Sequence, residues 1–186
     1  KSQLERGVIT ASAGNHAQGV ALSGQKLGIR AIIVMPKTTP DIKVQAVKRL
    51  GGDVVLHGDS FDVANKYAIQ RAKDEGMTFI PPYDDELVMA GQGTIGNEIL
   101  RQWRDVDYVF VAVGGGGLIG GVAAYLGDVA PHVKVIPVEY DESACLKAAF
   151  EAGERIVLPS VGLFADGTAV AQIGEKPFEV IQLMKS

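Results

Sequence analysis

Apolar residues along this chain fall into short unbroken runs separated by stretches of helical period. Val8-Ile9, Ala31-Ile-Ile-Val-Met35, Asp53-Val-Val-Leu56 and Thr78-Phe-Ile80 read as strands. The second is apolar throughout between Gly28 and Pro36, the pattern of a strand buried on both faces. Between the first two, Ala17, Val20, Ala21 and Leu27 recur at helical intervals. Pro40-Asp41 opens a second helix with Val44, Val47 and Leu50 inward and Gly51-Gly52 at its end. Ser60 suits the N-cap of a third, which runs to about Gly76 with Val63, Ala64, Tyr67, Ala68 and Ala72 at the expected spacing. Four strands alternating with three helices predict a parallel, right-handed βαβ sheet.

Pro81-Pro82 stops the fourth strand, and a domain boundary is expected between Pro82 and Asp85. The alternation then resumes, with helix over residues 94–103, strand over 108–113, helix from 118 to about 129, strand over 134–138 and helix over 143–152. Residues 157–171 are Gly-rich and without period, and residues 178–184 form an apolar helical stripe.

Composition narrows the function classes. The 186 residues are enough for one domain or two small ones, and 47% hydrophobic with 22% charged residues is ordinary for a globular protein. A net charge of −4 without a basic patch argues against a nucleic-acid partner. The single cysteine, Cys145, excludes an intrachain disulfide. No run reaches membrane-spanning length and the first residues carry no signal-peptide pattern, so a cytoplasmic protein with no membrane partner is expected. The chain opens almost on a core strand and closes on an uncapped apolar stripe, so a fragment of a longer protein is also expected.

Two turns carry candidate chemistry. The first follows Val8-Ile9, where Ser12 and Asn15 are good N-cap residues and the turn amides lack intrahelical partners, so it suits an anion. Asn15 and His16 add side-chain donors, which favours a carboxylate or phenolate-like oxygen. The same residues also read as a plain helix cap with His16 on the surface. The second turn, Gly114-Gly-Gly-Gly117, joins a strand to a helix starting at Leu118-Ile119 and reads as a phosphate cradle, because four consecutive glycines are entropically wasteful for a turn alone. Gly115-x-Gly117-x-x-Gly120, with Glu139 ending the next strand, also fits a dinucleotide fingerprint. That reading leaves the first turn without a role.

Thr10-Ala-Ser-Ala-Gly-Asn-His-Ala-Gln-Gly19 resembles the substrate loop of the fold-type II pyridoxal-phosphate enzymes, its threonine dehydratase branch in particular. Pro81-Pro-Tyr-Asp84, Ala90-Gly-Gln-Gly-Thr94, Gly114-Gly-Gly-Gly-Leu118, Ser143-Ala-Cys-Leu146 and Val161-Gly-Leu-Phe-Ala-Asp-Gly167 follow in the family's order. The resemblance implies an α/β fold of the tryptophan synthase β kind. Residues 1–83 would be a small domain with a four-stranded parallel βαβ sheet, and residues 84–186 part of a large cofactor-binding domain. It implies a homo-oligomeric lyase of isoleucine biosynthesis that uses pyridoxal 5′-phosphate to convert L-threonine, a small amino-acid substrate, to 2-oxobutanoate and ammonia. Serine dehydratases and racemases of the same fold are the alternative. The resemblance assigns Gly114, Gly115, Gly116, Gly117, Leu118 and Gly167 to the cofactor, Asn15 to its phenolic oxygen, and Ser12, Ala13, Gly14, Asn15 and His16 to the substrate carboxylate. The family's Schiff-base lysine sits in a Ser-Phe-Lys-x-Arg-Gly segment that would precede residue 1. Lys1, Lys26, Lys37, Lys43 and Lys48 match no such motif, so no catalytic residue is assigned within the chain, which by itself is expected to be inactive with strands 108–113 and 134–138 partly uncovered.

The remaining candidates read as structural. His57 and His132 look like turn residues, Asp84-Asp85-Glu86 like solvated charge, and Cys145 like a packing thiol. Related serine racemases place a divalent metal at the position of Glu139, but Cys145 stands where they have an Asp, so Glu139, Asp141 and Glu142 read as a surface cluster and no metal is expected.

Overall fold

The computed structural model describes residues 4–162 and 164–184. The chain forms two compact units, Lys1–Pro82 and Tyr83–Ser186. Lys1, and Leu163 within the Val161-to-Gly167 motif, lie outside the described residues.

The first unit runs β1 (Val8–Ala11), α1 (Asn15–Leu27), β2 (Ala31–Met35), α2 (Asp41–Arg49), β3 (Asp53–Leu56), α3 (Phe61–Glu75) and β4 (Thr78–Phe79). Its sheet has the order β3-β2-β1-β4, with every pair parallel. The pleat divides the core. Val8, Ala31, Ile33 and Met35 pack with Ala17, Val20 and Ala21 of α1 and Val44 and Val47 of α2, while Ile9, Ala11, Ile32 and Val34 pack with Ala64, Ala68 and Ala72 of α3. Helices on both faces are why β2 is apolar at every position. Successive crossovers carry the chain from β1 to β3 on one side, and β4 returns to the other side of β1, so the connections reverse between β1 and β4. In such sheets ligands bind beyond the carboxyl ends of the strands at that reversal.

Three expected core positions differ. Leu27 is 67% exposed, and the buried position near the end of α1 belongs to Gly24, where a Cβ would come within 2.7 Å of the Ala31 Cβ. Only a glycine lets the helix approach so closely. Val63 is 46% exposed, while Ala64, Ala68 and Ala72, with the half-buried Tyr67, make the face of α3 that packs on the sheet. Leu50 is the half-buried C-cap of α2.

The second unit runs α4 (Glu86–Gln102), β5 (Tyr108–Ala112), α5 (Gly117–Val129), β6 (Lys134–Val138), α6 (Cys145–Ala152) and α7 (Glu175–Met184), with 3-10 turns at Asp141–Ser143 and Asp166–Thr168. β5 and β6 pair in parallel. Val109, Val111 and Val113 meet Ile119, Val122 and Leu126 of α5, Leu146 and Ala149 of α6, and Phe178 and Ile181 of α7. The other face is open, with Tyr108 52% and Phe110 69% exposed on β5 and Val138 48% on β6.

α4 begins eight residues before the expected start at Thr94. Gly91, Gly93 and Gly96 hide its period, yet a Cβ on Gly93 would lie 3.0 Å from the Gly121 carbonyl and one on Gly96 2.9 Å from the Tyr125 ring. These glycines let α5 lie close against α4. The acidic triple is more than solvated charge: Asp85 accepts from the Leu87 and Val88 amides at 2.9 and 3.0 Å, capping α4. Asp84 accepts from Glu175 and Lys176 amides at 3.0 and 2.9 Å, at the start of α7, and Glu86 pairs with Lys176 at 2.6 Å. Tyr83 groups with this second unit.

Candidate functional site

At the carboxyl end of β1, Ala11 leads into a turn and α1 starts at Asn15. The N-cap is Gly14, with no side-chain cap. Ser12 Oγ accepts instead from the Gly14 amide at 3.2 Å, and the Ser12 amide donates to the Val34 carbonyl at 3.2 Å. Neither Ser12 nor Asn15 caps the helix. Among the described residues the N–H groups of Ala13, Asn15, His16 and Ala17 have no protein acceptor. Asn15 is exposed, and its carboxamide has no partner among the described residues. The turn keeps several donors free, as an anion site requires.

His16 is not on the surface. It is half-buried, its Nε2 lying 3.0 Å from Thr10 Oγ1 and 3.3 Å from the Ile80 carbonyl oxygen. Thr10, which shares Val8's face of the sheet, is fully buried and donates to that same carbonyl at 2.7 Å. Burial lowers the His16 pKa, opposed by the weaker pull of the Ile80 carbonyl. The group therefore sits at the β1 and β4 reversal. Sequence reading missed Thr10 and Ile80, although one threonine inside an otherwise apolar strand is a buried polar group that needs a partner.

The second turn follows β5. Gly116 caps α5 at φ +90°, and the helix begins at Gly117, one residue before the expected Leu118. Residues 115–117 are buried and Leu118 is half-buried. Among the described residues no N–H from Gly114 to Ile119 has a protein acceptor, whereas the Gly115 carbonyl accepts from Gly174 at 3.0 Å. Several buried donors converge on one helix N-terminus, where an accepting anion would satisfy them. These residues fit a phosphate group.

The fold gives the four glycines a second reason besides closeness to a phosphate. Only Gly116 has a positive φ, and the rest are fixed by protein packed behind the loop. A Cβ would come within 2.2 Å of the Tyr83 ring at Gly115, 2.9 Å of the Tyr83 Cα at Gly117, 2.5 Å of Ile173 at Gly116 and 3.1 Å of the Thr168 Cα at Gly114. Gly167 is exposed in the Asp166–Thr168 turn with nothing near its Cβ direction, one residue from that wall. Cys145 is fully buried, donates to the Gly114 carbonyl at 3.4 Å and has its thiol pushed up to about 11 by burial and the nearby Glu139 carboxylate.

Glu139 is committed elsewhere. Its two oxygens accept from the Leu146 and Lys147 amides, each at 2.8 Å, and so cap α6. That use speaks against both the ribose-binding acid of the dinucleotide reading and a cation ligand. Among the described residues no group of three His, Cys, Asp or Glu side chains could hold a metal ion. His57 stacks on Tyr67 with centroids 3.9 Å apart, and His132 is exposed. No helix among the described residues is long and apolar enough to cross a membrane.

A family model described as pyridoxal-phosphate dependent enzyme matches residues 1–185. A threonine dehydratase from Nicotiana attenuata is 60% identical over 180 residues, which are 97% of this chain and 30% of that protein. The solved structure of processed threonine deaminase isoform 2 from Solanum lycopersicum superposes with a TM-score of 0.93 at 53% identity, covering 98% of this chain and 50% of that one. Maize serine racemase superposes at 0.91 and 32% identity, covering 97% of this chain and 55% of that one. The chain spans about a third of the length of the curated relatives it matches.

Proposed function

The chain belongs to the family of pyridoxal-phosphate dependent enzymes, with the α/β architecture of fold type II, and from that premise we propose that it is part of an enzyme converting L-threonine to 2-oxobutanoate and ammonia. The observation that carries this reading is the row of N–H groups from Gly114 to Ile119, buried or half-buried and without a protein acceptor among the described residues. Pyridoxal 5′-phosphate, when bound, supplies the electron sink for breaking bonds at the amino acid's α-carbon. The protein's part is to bind and orient. The N–H groups of residues 114–118 hold the phosphate, and Gly167 lies beside Thr168 of the wall behind them. At the other turn the free amides, with Ser12, Ala13, Gly14 and His16 forming its backbone, receive the substrate carboxylate. The exposed Asn15 carboxamide donates to the cofactor's phenolic oxygen. A fixed carboxylate orients the bond to be broken, which is a positional contribution to rate.

The choice of threonine is supported by the dehydratase from Nicotiana attenuata and the deaminase from Solanum lycopersicum. It is tested by ketoacid release from L-threonine and L-serine by the whole protein with pyridoxal phosphate. Faster release from serine, or interconversion of serine enantiomers without ketoacid, would replace threonine dehydration with the serine-specific alternatives. Asn15→Ala in the same assay lowers kcat more than it raises KM, because its partner is on the cofactor. A change confined to KM would move Asn15 to the carboxylate.

A further inference from the structure

We infer that Thr10 and the Ile80 carbonyl together fix His16 as the Nε2–H tautomer and tie the first turn of α1 to the end of β4, which makes Thr10 a positioning residue for that turn. The tautomer follows from counting protons. Thr10 Oγ1 has one, and it is directed at Ile80 O, 2.7 Å away, so a hydroxyl lone pair faces His16 Nε2 at 3.0 Å. Ile80 O, 3.3 Å from the same nitrogen, can only accept. Both neighbours therefore require a proton on Nε2.

Burial disfavours the imidazolium, so the ring is neutral at pH 7 and Nδ1 keeps its lone pair. Nδ1 makes no hydrogen bond within the described residues. It also has solvent-accessible surface, since among those residues the one enclosed side-chain N or O atom without a partner is Asn65 Oδ1. The first turn of α1 thus offers free N–H donors at Asn15, His16 and Ala17 together with one accessible acceptor. A ligand matching that set carries a carboxylate and an N–H or O–H donor, as an amino acid does. This ligand clause rests on the proposed function, whereas the tautomer does not.

The test is nitrogen NMR of the full chain labelled in its three histidines, with His16→Asn assigning the His16 signals. The expected spectrum has Nε2 protonated and Nδ1 bare. Thr10→Val, close in shape but without the hydroxyl, gives a mixture of tautomers and shifted Asn15 and His16 amides, and Thr10→Ser restores the wild-type pattern. A proton on Nδ1 in the wild type, or a Thr10→Val spectrum identical to it, overturns the assignment. Should Thr10→Val fail to fold, the wild-type and Thr10→Ser spectra still decide it. Titration of the whole protein carrying pyridoxal phosphate with L-threonine adds the functional arm: Thr10→Val weakens binding about fivefold, the worth of one neutral hydrogen bond, and Thr10→Ser leaves it intact. Equal affinity for the valine variant refutes the positioning role. No binding to wild type, with the expected tautomer present, refutes the proposed function and leaves the tautomer assignment established.

Discussion

The turns before α1 and α5 solve one problem in opposite ways. Each ends a parallel strand and opens a helix with several N–H groups free of protein acceptors. At α5 the loop is buried, without side chains, and held from behind by Tyr83, Thr168, Ile173 and Pro177. Before α1 the loop is open, Gly14 has no atom near its Cβ direction, and Ser12, Asn15 and His16 supply side chains. A cradle of backbone amides recognises little beyond negative charge and is set by packing. A turn decorated with side chains can choose among ligands, and is set by the hydrogen bonds behind it.

Breaking the packed turn has the largest expected effect. Gly115→Ala drives a Cβ into the Tyr83 ring and lowers stability by about 1–3 kcal/mol, the usual range for overpacking, whereas Gly14→Ala stays within about 0.5 kcal/mol. Urea unfolding of the two variants measures the contrast, and equal midpoints would erase it. Acid should trouble the other turn. Because burial lowers the His16 pKa below 6.5, the unfolded chain takes up a proton that the folded chain refuses. Stability is unaffected above 6.5 and declines as pH falls towards the folded value. Unfolding midpoints of the wild type should drop with acid more steeply than those of His16→Asn; parallel curves would mean that His16 is not held neutral. A lesser effect concerns Cys145. With its thiol raised to about 11 and fully buried, thiol reagents at pH 8 should label it only as fast as the protein opens, so added denaturant accelerates labelling. The smallest change is Asn15→Ala, which removes an exposed side chain without a partner among the described residues and leaves stability within about 0.5 kcal/mol.

The first unit was legible because burial on both faces writes strands as continuous apolar runs, and glycines punctuate the helix ends. Legibility fails where a residue's reason is a neighbour distant in sequence. The expected helix begins only at Thr94, after Gly91 and Gly93, and the close fit of Gly93 and Gly96 against α5 shows why glycines stand in α4. The glycines at 114–117 suggest a ligand's closeness, and only the fold shows the protein's own atoms packed behind them as well. Glu139 had the position of a ribose-binding acid, and only the fold shows its oxygens on the α6 amides. Helical spacing puts Leu27 in the core, whereas the last buried position of α1 is Gly24, whose role lies in its close approach to Ala31.

β4 has only two residues, yet it completes the group on which the first turn depends. Thr10 reaches Ile80 across 70 positions and His16 across 64. Contacts of such separation bear the largest loop-closure entropy in the unit, and they form after the local helices and the β1 and β2 pairing can. A growing chain therefore has the turn's residues well before it has the carbonyl that completes their arrangement. Any chain ending before Thr78 can have the first turn of α1 without the carbonyl that orients His16, so this part of the molecule matures only when its fourth strand docks.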